Sequence, residues 1–323
     1  MIGRLRGLVP GLALAALAVG AAAVPLLPLH AQAGAESDHR ARTEATRAVA
    51  TQFLRRMFVD RDVRRAYDDF AAPDLIQHNP MMADGLAGHR AYFAQLEQRA
   101  GSSAGWANVN NMILVDGDLF ALHHHAFTGP DDRGRVFVDI WRVANGRIVE
   151  HWDVIQPIPA EMAHDNGMGC GKGEDHAAAL ALRDTIAAPA CGLPDSAASR
   201  SRSLEVVDAY DRMLRGGQVR EAVDRMLTDD YRQHSPLIAD GKAGALAFLE
   251  RLLDKDAAAK LVMGPVRIIA EGDFVLMHRL TRYADGMRTA NVEIFRVRDG
   301  RISAHWDVKQ PIPETAANGN GMW

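Results

Sequence analysis

Cysteine occurs only twice in 323 residues, too rarely for a disulfide-rich scaffold or a four-cysteine zinc site. A basic excess is also missing: 37 Lys and Arg stand against 41 Asp and Glu, for a net charge of −4, which argues against a nucleic-acid partner. There is no Gly-rich phosphate loop, no Walker motif and no serine nucleophile elbow, so nucleotide chemistry and covalent serine chemistry are set aside. Beyond the N-terminus no run is long and apolar enough to span a bilayer. What remains is a composition of 48% hydrophobic and 24% charged residues, that of a folded globular chain with room for about two domains.

The N-terminus has the layout of a secretory signal. Arg4 and Arg6 precede an Ala- and Leu-rich stretch from Leu8 to Leu29, followed by Ala31-Gln32-Ala33. Residues 1–33 are therefore expected to be removed, leaving a protein exported to the periplasm or beyond, with no membrane attachment after cleavage. Pro10, Pro25, Pro28 and the small-residue motif favour cleavage over retention as an anchor.

The rest of the chain is one module written twice. Gln77-His78-Asn79-Pro80 through Asp84-Gly85-Leu86-Ala87-Gly88 returns as Gln233-His234-Ser235-Pro236 through Asp240-Gly241-Lys242-Ala243-Gly244, an offset of 156. Gly146-Arg147-Ile148 and His151-Trp152-Asp153-Val154-Ile155-Gln156-Pro157 return as Gly300-Arg301-Ile302 and His305-Trp306-Asp307-Val308-Lys309-Gln310-Pro311, an offset of 154. Asn166-Gly167-Met168 recurs as Asn320-Gly321-Met322. So small a drift makes each copy a continuous domain, at residues 40–168 and 200–323, with a linker at 169–199. Cys170 and Cys191 both fall in that linker. In an oxidising compartment they are expected to pair with each other, a closure worth on the order of 3 kcal/mol.

Within each copy a period of 3.6 gives way to a period of two. In the first copy helices are expected over Thr43–Phe58, Val63–Phe70 and Gly88–Arg99, with a short strand at Leu75–His78. Four strands follow, at Asn108–Val115, Asp118–Thr128, Arg135–Val143 and Arg147–Gln156. Helices followed by an antiparallel meander define an α+β class.

These elements, with Gln-His-x-Pro, Asp-Gly-x-x-Gly and the closing Gly-Arg-Ile-x-x-His-Trp-Asp-Val-x-Gln-Pro, resemble the SnoaL-like, polyketide cyclase-like branch of the nuclear-transport-factor-2-like superfamily. The resemblance covers both copies. It implies two tandem cone-shaped domains, each with N-terminal helices packed into a curved antiparallel sheet around a deep pocket. It implies further that the proton-shuttling aspartate of such cyclases maps to Asp153 and Asp307.

The strand pairing decides which side chains share the pocket. A three-residue loop at the Asn145-Gly146 turn sets Asp139 opposite His151, with Asp153 on the same face. It sends Val138, Ile140, Trp152 and Val154 to the other face. The second copy then sets Glu293 opposite His305, beside Asp307, with Val292, Ile294, Trp306 and Val308 behind. The candidate catalytic residues are thus Asp153, His151, Asp139, Asp307, His305 and Glu293. Substrate binding is expected from Gln77, His78, Gln233, His234, and from His123, His125 and His278 on the preceding strand. The reading this favours is a cofactor-independent acid/base enzyme that isomerises or cyclises an apolar carbonyl compound. Two alternatives stay open: a non-catalytic small-molecule-binding module, and a metal-dependent variant built on His123 and His125 with a carboxylate. The two apolar sheet faces are expected to cover each other as an internal pseudo-dimer.

Overall fold

A computed structural model of the protein describes residues 29–100, 106–171, 175–182, 186–253, 262–283 and 285–323. The export-signal reading rests chiefly on residues 1–28, which lie outside the described residues.

Domain 1 opens with α1 (Leu29–Leu54), which ends in a single π turn (Arg55–Val59), and α2 (Val63–Phe70). Asp62 starts α2 by accepting a hydrogen bond from Arg65 N at 3.0 Å, the capping role of a short carboxylate before an apolar turn. Then come β1 (Ala71–Gln77), α3 (Gly85–Ala100), β2 (Ala107–Asp116), β3 (Leu119–Phe127), β4 (Arg135–Ala144) and β5 (Arg147–Pro157). The strands order as β1-β5-β4-β3-β2, with β1 parallel to β5 and the rest antiparallel.

Domain 2 repeats the design. After α4 (His176–Ala181) in the linker come α5 (Arg200–Arg215), α6 (Val219–Met226), β6 (Leu227–Gln233) and α7 (Gly241–Leu252). The strands β7 (Val262–Glu271), β8 (Phe274–Arg282), β9 (Arg288–Arg298) and β10 (Arg301–Pro311) then make a sheet ordered β6-β10-β9-β8-β7. The class is α+β, two sheets with their helices placed before them. The Asp-Gly-x-x-Gly motif has a steric cause. A Cβ at Gly88 or Gly244 would run into the carbonyl of Ala83 or Ala239 where the chain doubles back into α3 or α7.

Each sheet buries two faces. The concave face of domain 1 closes on its helices: Phe53 makes edge contacts with Tyr67 and Trp141 at 5.1 and 5.4 Å, among Ala50, Leu75, Phe120 and Leu122. On the convex face Val138, Ile140, Trp152 and Val154 pack against Val292, Ile294, Trp306 and Val308 in one core shared by both domains. Full burial of an aliphatic side chain of this size is worth about 1.5–3 kcal/mol. Polar contacts across the same interface come in exchanged pairs. Gln156 Oε1 accepts Lys309 N at 2.8 Å while Gln310 Oε1 accepts Ile155 N at 2.7 Å; Asp116 Oδ2 accepts Ala270 N at 2.8 Å while Glu271 Oε2 accepts Val115 N at 2.7 Å. The two copies thus contact each other reciprocally. Cys170 and Cys191 are joined by a disulfide, and Cys191 N donates to Asn111 O at 2.9 Å, tying the linker to β2.

The register differs from the expected one. Ala144 pairs with Arg147, so the loop has two residues, Asn145 and Gly146, at φ 52° and 72°. A bulge then sets Arg142 opposite Glu150 and Val143 opposite Ile148, leaving Val149 unpaired. The extra residue restores the face assignment while moving every partner beyond the bulge by two. Asp139 lies opposite Asp153, and Trp141 opposite His151. Domain 2 has the same device at Ser303, placing Glu293 opposite Asp307 and Phe295 opposite His305.

Candidate active site

The concave side of domain 1 holds a cavity of about 590 Å³. Phe58, Tyr92, Phe93, Leu96, Phe137 and Ile155 give it an apolar wall, and Asp139, His151 and Asp153 stand at its base. Period two puts His151 and Asp153 on this side of β5, and the bulge at Val149 is what turns them there with Asp139.

These groups form one chain of hydrogen bonds. His151 Nε2 meets Asp139 Oδ1 at 3.0 Å, and its Nδ1 meets Gln77 Oε1 at 2.9 Å. The Gln77 oxygen also accepts Asn79 N at 2.9 Å. Both ring nitrogens of His151 therefore face side-chain oxygens. The second oxygen of Asp139 meets His124 Nε2 at 2.9 Å. Burial alone would push Asp139 up, but its hydrogen bonds with His124 and His151 and their charge outweigh that and hold the carboxyl at about 2.

Asp153 is placed differently. Its Oδ2 accepts Asn79 Nδ2 at 2.5 Å, while its Oδ1 is buried with no partner. Burial raises this carboxyl to about 6, with the charge of Asp139 adding and those of His151 and His124 opposing. A buried carboxylate with one bare oxygen beside an apolar cavity, its pKa close to neutral, is suited to accept and return a proton. Tyr92 also lines the cavity, and burial with the charge of Asp153 holds its hydroxyl proton on.

Asp139, His151 and Asp153 bring one ligand atom each within 4.8 Å of one another, a spacing compatible with a cation. Both nitrogens of His151 and both oxygens of Asp139 are already committed. The donor set reads as a proton network rather than a coordination sphere.

Domain 2 has a cavity of about 660 Å³ in the equivalent place, lined by Gln233, Glu293, His305 and Asp307. Its chemistry is different. Lys309, where domain 1 has Ile155, sets its Nζ 2.7 Å from Asp307 Oδ2. Burial would raise Asp307, but the Lys309 charge outweighs it and lowers the carboxyl below its usual range. Lys309 is correspondingly raised by Asp307 against its own desolvation. Arg279, where domain 1 has His124, sits 3.0 Å from Glu293 Oε2 and 3.2 Å from Asp211 Oδ1. His305 Nδ1 keeps its contact with Gln233 Oε1 at 3.0 Å.

Several expected binding residues lie elsewhere. His123, His125 and His278 are buried on the convex side, between the two sheets, while the alternation carries His124 into the cavity. Neither ring nitrogen of His123 or His125 has a hydrogen-bond partner, and burial holds both rings neutral, His125 at about 3. His278 accepts from Arg267 Nη1 at 2.9 Å. His78 bridges Glu150 Oε1 and Gly321 O at 2.9 and 2.7 Å and stacks on Trp152; His234 meets Gly167 O at 3.1 Å and stacks on Trp306. Gln77 acts behind His151 rather than in the cavity, whereas Gln233 reaches the wall of the second one. Asn79, His124, Tyr92 and Lys309 were not singled out from sequence. Lys309 had a signal: it replaces Ile155 two positions after the aspartate, on the same face of its strand.

A sequence model of the SnoaL-like domain matches residues 50–151 and again 206–305. No curated protein matches the chain. Among solved structures, TsrD from Streptomyces laurentii is 21% identical, covering 35% of this chain and 90% of its own, with a TM-score of 0.29. An M. tuberculosis LEH-like epoxide hydrolase is 22% identical over 34% of this chain and 84% of its own, with a TM-score of 0.29. An NTF2-like protein from Burkholderia xenovorans is 15% identical over 35% and 92%, also with a TM-score of 0.29.

Proposed function

Because the chain belongs to the SnoaL-like domain family in both of its halves, we propose that it is an acid/base enzyme whose chemistry resides in domain 1, with domain 2 a cone that holds an apolar molecule without turning it over. The observation that carries this reading is Asp153 Oδ1, buried and bare at the base of an apolar cavity, on a carboxyl raised to about 6. The substrate class is a small, mainly apolar carbonyl compound. Asp153 takes a proton from the carbon next to the carbonyl, the C–H electron pair moves into an enolate, and the oxygen takes the charge. Tyr92 is the neutral donor in the wall suited to that oxygen. Asp153 then returns its proton at a second atom, completing an isomerisation, or the enolate carbon attacks a second carbonyl of the same molecule to close a ring and the resulting alkoxide takes the proton back from Asp153. Asp139, held ionised by its hydrogen bonds with His124 and His151, supplies a negative charge beside Asp153. No step calls for a cofactor. An exported location fits the basic and apolar N-terminal layout and the Cys170–Cys191 bond.

Solvent deuterium exchange tests the reading without knowledge of the final product. A panel of apolar ketones and β-keto esters in D₂O is followed by NMR for exchange next to the carbonyl. Exchange in the wild type that is lost in Asp153→Asn and kept in Asp307→Asn supports it. Exchange that survives in Asp153→Asn overturns it. Ligand binding with no exchange in the wild type favours the binding-module alternative, for which the Lys309-quenched cavity of domain 2 is the natural precedent.

A further inference from the structure

The end of domain 2 crosses to the loop that carries Asn79. Ala317 N donates to Pro80 O at 2.7 Å. Asn318 Nδ2 donates to Asn79 O at 2.7 Å and to Met82 O at 2.8 Å, spanning the turn that Met82 N closes on Asn79 O. Asn320 Nδ2 donates to Gln77 O at 3.0 Å and Asp84 Oδ1 at 2.8 Å, and Asp84 Oδ1 also accepts Gln77 N. Met322 is buried beyond them, anchoring the tail.

Two of the residues so held touch the acid/base groups of domain 1. Gln77 Oε1 takes the Nδ1 side of His151. Asn79 Oδ1 accepts Met81 N at 2.7 Å, which fixes the carboxamide so that its Nδ2 points at Asp153 Oδ2. The loop backbone thus decides whether Asp153 keeps one oxygen bound and the other bare, and the tail holds that backbone. The exchanged contact is made by the domain 1 tail, where His164 Nε2 donates to Ser235 O at 2.8 Å and Asn166 Nδ2 to Gln233 O at 2.9 Å. There the main partner of the carboxylate is Lys309, two residues along its own strand, so the crossed tail has less to decide.

We propose that Asn318 and Asn320, at the end of domain 2, are positioning residues for the reactive carboxylate of domain 1: they fix the Asn79 amide on Asp153 Oδ2 and leave Oδ1 without a hydrogen-bond partner. Domain 2 therefore completes the site of domain 1 from outside it. This rests on Asp153 being the reactive group, but the test below reads its ionisation and not turnover, so the two ideas fail separately. The ionisable groups facing Asp153 are His151 on its own strand, Asp139 on β4, His124 on β3, Tyr67 on α2 and Tyr92 on α3. No residue from Thr315 to Trp323 has an ionisable side chain, so a substitution there reaches Asp153 through the loop.

Carboxyl ¹³C NMR of the full chain with labelled aspartate gives the Asp153 midpoint, its resonance identified by its loss in Asp153→Asn. Removing a hydrogen bond to the ionised form raises a carboxyl. Asn318→Ala is expected to raise the midpoint by about one pH unit and Asn320→Ala by less. Asn79→Ala is expected to raise it at least as far, and adding Asn318→Ala to it should raise it no further, because both act through one bond. Asn166→Ala, in the other tail, should leave it in place. Should Asn318→Ala not fold, as near-UV circular dichroism reports, Asn320→Ala at its exposed position decides alone. A midpoint unmoved in the folded tail variants, moved equally by Asn166→Ala, or moved additively with Asn79→Ala overturns the proposal.

Discussion

Domains 1 and 2 share one backbone, one Gln-His contact between the first and last strands of the sheet and one aspartate at the base of a cone, yet the two aspartates sit in opposite electrostatic conditions. In domain 1 the wall beside Asp153 is Ile155, and the carboxyl is raised. In domain 2 the same wall is Lys309, and the carboxyl is lowered. A single side chain two residues along a strand, on the same face, decides between them. The preceding strand reinforces the contrast, since His124 can share a proton with Asp139 whereas Arg279 can only neutralise Glu293 and Asp211. A fold keeps the geometry of a carboxylate while a neighbour removes its basicity.

The strongest way to break the comparison is to exchange the deciding residue. Ile155→Lys should pair an ammonium with Asp153, lower its pKa and suppress deuterium exchange by about 10²–10⁴-fold, the usual worth of a general acid/base group. Exchange at wild-type rate would show that the carboxylate is not the base. Next in size is stability. Asp307→Asn takes the partner from the half-buried Lys309 ammonium and should cost about 1–3 kcal/mol in urea unfolding at pH 7.

Asp153→Asn should do the reverse. The folded pKa of Asp153 lies near 6, above the ordinary aspartate value, so its contribution to stability is full in acid and is lost as pH rises through about 6. The asparagine variant lacks that loss. It should match wild type near pH 4 and exceed it by on the order of 3 kcal/mol at pH 8. Equal effects of the two Asp→Asn changes at pH 8 would erase the distinction between the domains. The smallest effect belongs to Lys309→Ile, which gives domain 2 the wall of domain 1. The Asp307 midpoint should climb above the ordinary aspartate range, and an unmoved midpoint would mean that Lys309 is not what lowers it.

Much of this was legible in the sequence, for identifiable reasons. The repeat and the switch from period 3.6 to period two placed the helices and strands of domain 1 within a few residues, apart from the earlier start of α1 and the longer β1. The partition of β4 and β5 into an apolar face with Trp152 and a polar face with Asp153 also follows from alternation alone. The pairing did not, because the bulges at Val149 and Ser303 occupy ordinary β positions and nothing in their side chains announces an unpaired residue. The histidine run shows the same limit. Alternation separates His123 and His125 from His124, but which set faces the cavity depends on the twist and pairing of β3. There Phe120 and Leu122 share the inward side with His124. Residues that act through backbone contacts from the other copy, such as Asn318, carry no local signature at all.

The central claim is that the two aspartates of one chain differ in basicity, and one titration addresses it. With ¹³C-carboxyl aspartate in the full chain, and Asp153→Asn and Asp307→Asn to identify the two resonances, both midpoints are read from the same sample. Asp153 is expected to titrate near 6 and Asp307 below the ordinary aspartate value of about 3.9. Two midpoints in the ordinary aspartate range, or the higher one at Asp307, would contradict the claim.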